Sequence, residues 1–87
     1  MPPELHITGC VVHARPEALG TVRRAIASIA GAEIHAASRD GKLVVTLETA
    51  NEHGVVERLA AMRDLRGVLS AALVFHRVEA LPEPEGA

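Results

Sequence analysis

The sequence predicts one α+β domain of the ferredoxin-like, split βαβ type, because a strand-helix-strand unit occurs twice in 87 residues. The first unit covers residues 5–38 and the second covers residues 43–78. Gly31 and Gly67 occupy matching positions just after the two predicted helices. Right-handed crossovers place both helices on one face of an antiparallel four-stranded sheet with strand order 4-1-3-2. The opposite face of the sheet is then left open.

The first unit begins with an apolar, β-branched strand over residues 5–13. Its helix is expected to begin near Pro16, whose fixed φ suits a first helical turn. The apolar residues that recur there at helical spacing are Leu19, Val22, Ile26 and Ile29. Gly31 is expected to end this helix in the left-handed conformation, before a weaker strand over residues 33–38.

The second unit begins after Asp40 and Gly41, which predict a tight hairpin turn into a strand over residues 43–48. Its helix has two alternative caps, a capping box of Thr49 with Glu52 or a single Asn51. The predicted buried stripe of this helix consists of Val55, Leu59 and Met62. Gly67 ends the helix, and residues 68–78 form the last predicted strand.

Composition indicates a single domain over residues 1–78 with an aliphatic core, since the chain has one aromatic residue, Phe75. Residues 1–78 hold nine Lys and Arg against eight Asp and Glu, which gives no clustered basic surface for nucleic acid. Residues 79–87 hold three Glu and no base, and their prolines and charge predict a disordered acidic tail.

The single cysteine excludes an intramolecular disulfide framework. No secretory signal pattern and no apolar stretch of about 18 residues is present. We therefore expect a soluble cytoplasmic protein.

Catalytic and metal chemistry find little support in the residues. Five histidines lack close ligand spacing, and Cys10 has no second thiolate beside it, so no metal or other cofactor is expected. The stretch after the first strand lacks the glycines of a phosphate-binding loop, so we expect no enzyme activity. Strands one and three carry no aromatics on which RNA bases could stack.

Alternation of side chains along each strand predicts the open face. The charge of Glu48 places it outward in strand three, with Leu43, Val45 and Leu47 under the helices. In strand four, the large Leu73 and Phe75 are expected in the core with Ala71. Strand one is compatible with either orientation; we take Ile7, Gly9 and Val11 as inward. The resulting open face, a predicted peptide-binding surface, consists of Thr8, Cys10, Val12, Val44, Thr46, Glu48, Ser70, Ala72, Val74 and His76.

Two functions fit an apolar sheet face with an acidic rim. The first is binding of a peptide that joins apolar and basic residues. The second is a regulatory small-molecule module of the ACT or AsnC type, because residues 15–19 resemble the ACT pattern. ACT modules, however, carry glycine directly after the proline, where this chain has Glu17.

The residues also resemble a known family. The segments Ile7-Thr8-Gly9-Cys10-Val11-Val12-His13-Ala14-Arg15-Pro16, Gly31-Ala32-Glu33-Ile34, Gly41-Lys42-Leu43-Val44-Val45-Thr46-Leu47-Glu48 and Gly67-Val68-Leu69-Ser70-Ala71-Ala72-Leu73-Val74-Phe75-His76 are similar to those of the NapD family. The resemblance covers about residues 5–77.

The resemblance implies a ferredoxin-like fold without catalysis. It further implies a cytoplasmic chaperone. We expect a monomer or weak dimer. Its partner would be the twin-arginine signal peptide of NapA, the catalytic subunit of periplasmic nitrate reductase. Binding would delay export of NapA until its molybdenum cofactor is inserted.

Overall fold

The computed structural model describes residues 3–81. The helices and strands, in chain order, are β1 Glu4–Ala14, α1 Leu19–Ala27, β2 Ala32–Ala37, β3 Lys42–Thr49, α2 Glu52–Asp64 and β4 Val68–Ala80. A single 3-10 turn, Pro16–Ala18, precedes α1, so the proline does stand at the start of the helical segment. The sheet order is β2-β3-β1-β4, with every neighbouring pair antiparallel. This is the predicted order counted from the other edge, and it confirms the ferredoxin-like fold.

Both helices pack on the same face of the sheet. Val22 and Ile26 of α1 and Met62 of α2 are fully buried in one cluster with residues of three strands. Leu19, Ile29 and Leu59 are partly buried against the same cluster, as predicted. Ile29, however, lies in the turn after α1 and not in the helix, which ends at Ala27. The strand residues of the cluster are Cys10, Val12, Ala14, Leu43, Val45, Leu47 and Ala71. The hydrophobic core therefore lies between the helices and one side of the sheet.

The helix ends are set by local chemistry. The Asn51 side chain accepts a hydrogen bond of 2.8 Å from the Gly54 backbone N–H, so Asn51 is the cap of α2. Gly31 and Gly67 have φ values of 81° and 93°, as their predicted left-handed role requires. The Gly31 carbonyl also accepts a hydrogen bond of 2.9 Å from the Glu48 N–H, which ties the loop after α1 to the end of β3.

The last strand is longer than the sequence predicts. Glu79 and Ala80, predicted to begin the tail, pair with Leu5 and Glu4 at the end of β1. The ordered domain thus extends two residues past the predicted boundary at 78, and residues 82–87 of the predicted tail lie outside the described residues. Neither helix within residues 3–81 is long and apolar enough to cross a membrane.

Candidate functional site: the open face of the sheet

The open face is the side of the sheet that the helices leave uncovered, and β3 shows its alternation most clearly. Leu43, Val45 and Leu47 are fully buried beneath the helices. The residues between them point to the other side; they are Val44, Thr46 and Glu48, as predicted. Val44 is 44% exposed, so a branched aliphatic side chain lies bare at the centre of the sheet.

The predicted facing of β1 is wrong. Directly opposed residues of antiparallel strands share a face, and Thr8, Cys10 and Val12 pair with Leu47, Val45 and Leu43. All three are fully buried on the helix side, so they are not part of the open face. Ile7, Gly9 and Val11 take their place on the open face.

Pairing with β3 explains this reversal. The charge of Glu48 excludes it from the core and so fixes the facing of β3. The register of β1 on β3 then places Cys10 and Val12 on the buried side. Val11 and Val12 are identical in size, so side-chain size did not indicate which residues of β1 belong to the core.

A β-bulge changes the facing of β4 partway along the strand. Up to Leu73 the alternation is as predicted: Ala71 is buried on the helix side, while Ser70 and Ala72 lie on the open face. The register then shifts, because Cys10 pairs with Leu73 but Gly9 pairs with Phe75. Val74 is the extra residue of the bulge and is 59% exposed.

Two predicted positions of β4 are reversed by that extra residue. Phe75, expected in the core, lies on the open face opposite Gly9 and is 47% exposed. His76, expected on the open face, pairs with Thr8 and lies on the helix side. Leu73 has the predicted facing but is 45% exposed, because β4 is an edge strand.

The Phe75 ring lies directly on the Gly9 backbone. A Cβ atom added to Gly9 would overlap three atoms of the ring, so the absent side chain makes room for it. This contact places the chain's one aromatic side chain on the open face. It joins aliphatic neighbours from three strands; the apolar patch so formed consists of Ile7, Val11, Val44, Ala72 and Phe75.

Acidic residues gather at one corner of the open face, where β2 and β3 meet. Glu33 pairs directly with Thr46, and Glu48 follows Thr46 on the same side of β3. A register shift between Ile34 and Ala36 turns His35 toward β3, and its Nε2 lies 2.7 Å from the Thr46 hydroxyl oxygen. We call Glu33, His35, Thr46 and Glu48 the acidic corner.

The two carboxylates of the acidic corner are available to a ligand. Within residues 3–81, the carboxylates that lie within 4 Å of a basic side-chain nitrogen are those of Glu4 beside His6, Glu57 beside His53, and Glu79 beside Arg77. Neither Glu33 nor Glu48 takes part in any of these. Sequence reasoning missed Glu33; the antiparallel hairpin it predicted between strands two and three was the signal that could have located it beside Thr46.

His76 belongs to a different cluster on the helix side. Its Nε2 lies 3.1 Å from Nδ1 of His6, and the two rings stack with centroids 5.3 Å apart. One nitrogen must donate and the other accept, so this contact requires at least one neutral ring. Glu4 lies 3.8 Å from the other side of the His6 ring. The Thr8 hydroxyl is buried nearby without a hydrogen-bond partner among the described residues.

Cys10 is unsuited to nucleophilic chemistry. Burial raises the pKa of its thiol above the ordinary value of 9.0, and the positive charge of Arg63 only partly opposes this. The thiol is therefore protonated at neutral pH, and the protonated form is a poor nucleophile and metal ligand. Among residues 3–81, no three His, Cys, Asp or Glu side chains converge as metal ligands.

Comparison with known proteins agrees with the resemblance seen in the sequence. Residues 5–80 match the family model described as NapD protein. A Chaperone NapD of Paracoccus pantotrophus is 36% identical over 81 residues, which are 93% of this chain and 70% of that protein. A Chaperone NapD of Haemophilus influenzae is 29% identical over 72 residues, which are 82% of this chain and 77% of that protein.

A solved structure has the same fold. The solution structure of the E. coli Tat proofreading chaperone protein NapD superposes with a TM-score of 0.81 at 23% sequence identity. The superposition covers 100% of this chain and 88% of the other. At 23% identity this likeness establishes the fold alone. An inference about function must come from the family match and from the residues of the open face.

Proposed function

This chain belongs to the NapD family, and we propose that it is a cytoplasmic chaperone that binds the twin-arginine signal peptide of NapA. Binding would keep that catalytic subunit of periplasmic nitrate reductase from export until its molybdenum cofactor is inserted. The curated relatives are named chaperones, which favours a binding role without catalysis. The E. coli protein is a Tat proofreading chaperone, and we extend that role to this chain.

The observation that carries the proposal is that the apolar patch and the acidic corner lie together on the open face. In the part of the chain that the structure describes, neither carboxylate of the acidic corner forms an ion pair. A twin-arginine signal peptide joins a basic segment to an apolar segment. The acidic corner is complementary to the first, and the apolar patch is complementary to the second. Guanidinium groups form charge-assisted, often bidentate hydrogen bonds with carboxylates such as Glu33 and Glu48. Apolar residues of the peptide would cover Val44 and Phe75, which are both nearly half exposed.

The composition of the apolar patch suits a reversible contact. Three of its five members are aliphatic residues larger than alanine, Phe75 is already partly packed on Gly9, and Ala72 offers little area. Hydrophobic stabilisation is roughly proportional to the area removed from water, at about 25 cal/mol per Å². A small patch therefore gives a limited affinity, as transfer of the peptide to the export machinery requires.

A binding measurement with matched valine substitutions tests the proposal. Val44→Asp puts a charge at the centre of the open face, and a buried unpaired charge is costly. Val56→Asp introduces the same change on α2, where the valine is 61% exposed and lies away from the open face. We expect Val44→Asp to weaken binding of a fluorescent NapA signal peptide by about tenfold or more, equal to about 1.4 kcal/mol. Val56→Asp should leave the affinity unchanged.

Chemical shifts and a second peptide complete the test. The wild-type peptide should shift backbone amide signals of β1, β3 and β4 far more than those of α1. A twin-lysine peptide should bind more weakly, because an ammonium cannot form the bidentate contact of a guanidinium. Shifts concentrated on the helices, or equal affinity of the two valine variants, would show that the open face is not the binding site.

A further inference from the structure

The charge of the open face changes along β3, from positive near the start of the strand to negative near its end. The acidic corner lies at the end of β3, whereas Lys42 lies on the same face at its start, six residues before Glu48. Six residues of a strand span roughly 20 Å. Beside Lys42, the opposed residue of β1 is His13. The Asp40 carboxylate interacts with Lys42 and His13 and offsets part of the positive charge there. A basic segment is therefore attracted more strongly to the end of β3 than to its start.

A third charged corner of the open face lies at the end of β4, where a positive and a negative side chain are paired. Arg77 lies opposite Ile7, and its guanidinium forms an ion pair of 3.0 Å with Glu79. Covering this pair with an apolar segment would remove two charges from water, which raises the free energy, whereas covering aliphatic surface lowers it. An apolar segment is therefore disfavoured over the end of β4.

One route across the face avoids both charged corners. From the acidic corner it crosses Val44 and Val11, beside the Phe75 ring, and reaches Ala72 and Ser70 near the start of β4, where the side chains are small. From Glu33 to Ser70 the route passes over three strand spacings and about four residues along the strands, or roughly 20 Å. An apolar segment of about 7–15 residues, typical of export signals, is long enough to cover it.

We propose that the bound signal peptide has one fixed direction on the open face, with its arginine pair at Glu33 and Glu48 and its apolar segment crossing Val11 toward Ser70. This inference rests on the proposed function. It assigns the direction of the bound peptide and the basic subsite, which is the pair of carboxylates that binds the two arginines. Glu33 and Glu48 flank Thr46 on neighbouring strands, so each can accept hydrogen bonds from a separate guanidinium.

Paramagnetic labels on the peptide measure the direction. A nitroxide at the amino-terminal end of the NapA signal peptide should broaden the amide signals of Thr46 and Glu48 much more strongly than that of Ser70. A nitroxide at the carboxy-terminal end of the apolar segment should do the reverse. The opposite pattern, or equal broadening by both labels, would overturn the fixed direction while leaving the open face as the binding site.

Charge-neutral variants test the basic subsite separately. Glu33→Gln together with Glu48→Gln should weaken peptide binding by about tenfold, since each exposed ion pair contributes up to about fivefold. Glu17→Gln, in the turn before α1, is the control for removing a carboxylate elsewhere. If the double variant binds as tightly as Glu17→Gln, the subsite is wrong although the peptide binds. If the wild-type protein does not bind the peptide, both the subsite and the proposed function are wrong.

Discussion

At the scale of single residues, Gly9 and Phe75 determine much of the character of the open face. The glycine leaves a bare stretch of backbone at the middle of β1, and the ring occupies it. Aromatic side chains supply large contact areas at low entropic cost and are enriched among residues that dominate binding energy. The half-exposed ring therefore offers the largest single apolar contact available to a peptide on this face.

A substitution at Gly9 should displace the ring without unfolding the domain. In Gly9→Ala the new methyl group overlaps the ring, and the half-exposed Phe75 can move outward to relieve the contact. Gly9 itself is buried, but the side chain that must move is half exposed, so we expect the unfolding free energy to fall by only about 1 kcal/mol. Peptide affinity should fall several-fold, because the displaced ring obstructs the face.

A second glycine provides the matched control for that measurement. Gly20 is exposed in α1, and a Cβ atom there would meet only an Arg24 side-chain nitrogen at 3.7 Å. Gly20→Ala should raise stability by about 0.5–1 kcal/mol through helix propensity and leave peptide affinity unchanged. Equal affinity of the two alanine variants would contradict a role for the ring in binding.

The reactivity of Cys10 tests the corrected facing of β1. Because the thiol is fully buried and its pKa is raised, alkylation requires the domain to open. If opening costs about 3 kcal/mol, iodoacetamide at pH 8 should react roughly a hundredfold more slowly with the native protein than with the urea-unfolded chain. Equal rates would place Cys10 on the open face, as the sequence alone suggested.

The same thiol affects stability at alkaline pH. The folded state holds the proton to a higher pH than the unfolded chain, because burial raises the pKa above 9.0. As the pH rises past that value, the unfolded chain loses the proton first and is favoured. The contribution of Cys10 to stability is therefore complete below pH 9 and is lost as the pH rises through the pKa of the folded state.

At the scale of the elements, the sequence predicted most of the fold because its signals are local. Proline at a helix start, glycine after a helix and an Asp-Gly turn each act through the backbone of a few residues. The facing of β3 was also predictable, because the charge of Glu48 excludes it from the core. The choice between Asn51 and a capping box depended on side-chain geometry and required the structure.

The parts of the site that the sequence did not predict depend on contacts between elements. The facing of β1 follows from the register in which it pairs with β3. The facing of Phe75 and His76 follows from a bulge that is defined only by pairing with β1. Glu33 joins Glu48 through the register of β2 on β3. Such relations between distant segments leave no pattern within a single strand.

At the scale of the whole molecule, the residues that stabilise the fold and those proposed to bind the peptide lie on opposite sides of one sheet. The core residues lie between the sheet and the helices, and the apolar patch and acidic corner lie on the other side. A conservative change in the core should therefore alter stability alone, whereas a change on the open face should alter affinity alone.

Ile26→Val tests this separation against Val44→Asp. Ile26 is fully buried in the core cluster, and removing one methylene group there should lower the unfolding free energy by about 0.5–1.5 kcal/mol. Urea denaturation and peptide titration of both variants measure the two properties. We expect Ile26→Val to bind the peptide as tightly as the wild type, because the open face of the folded molecule is unaltered. Loss of affinity in Ile26→Val comparable to that in Val44→Asp would show that the core and the open face are coupled through the sheet.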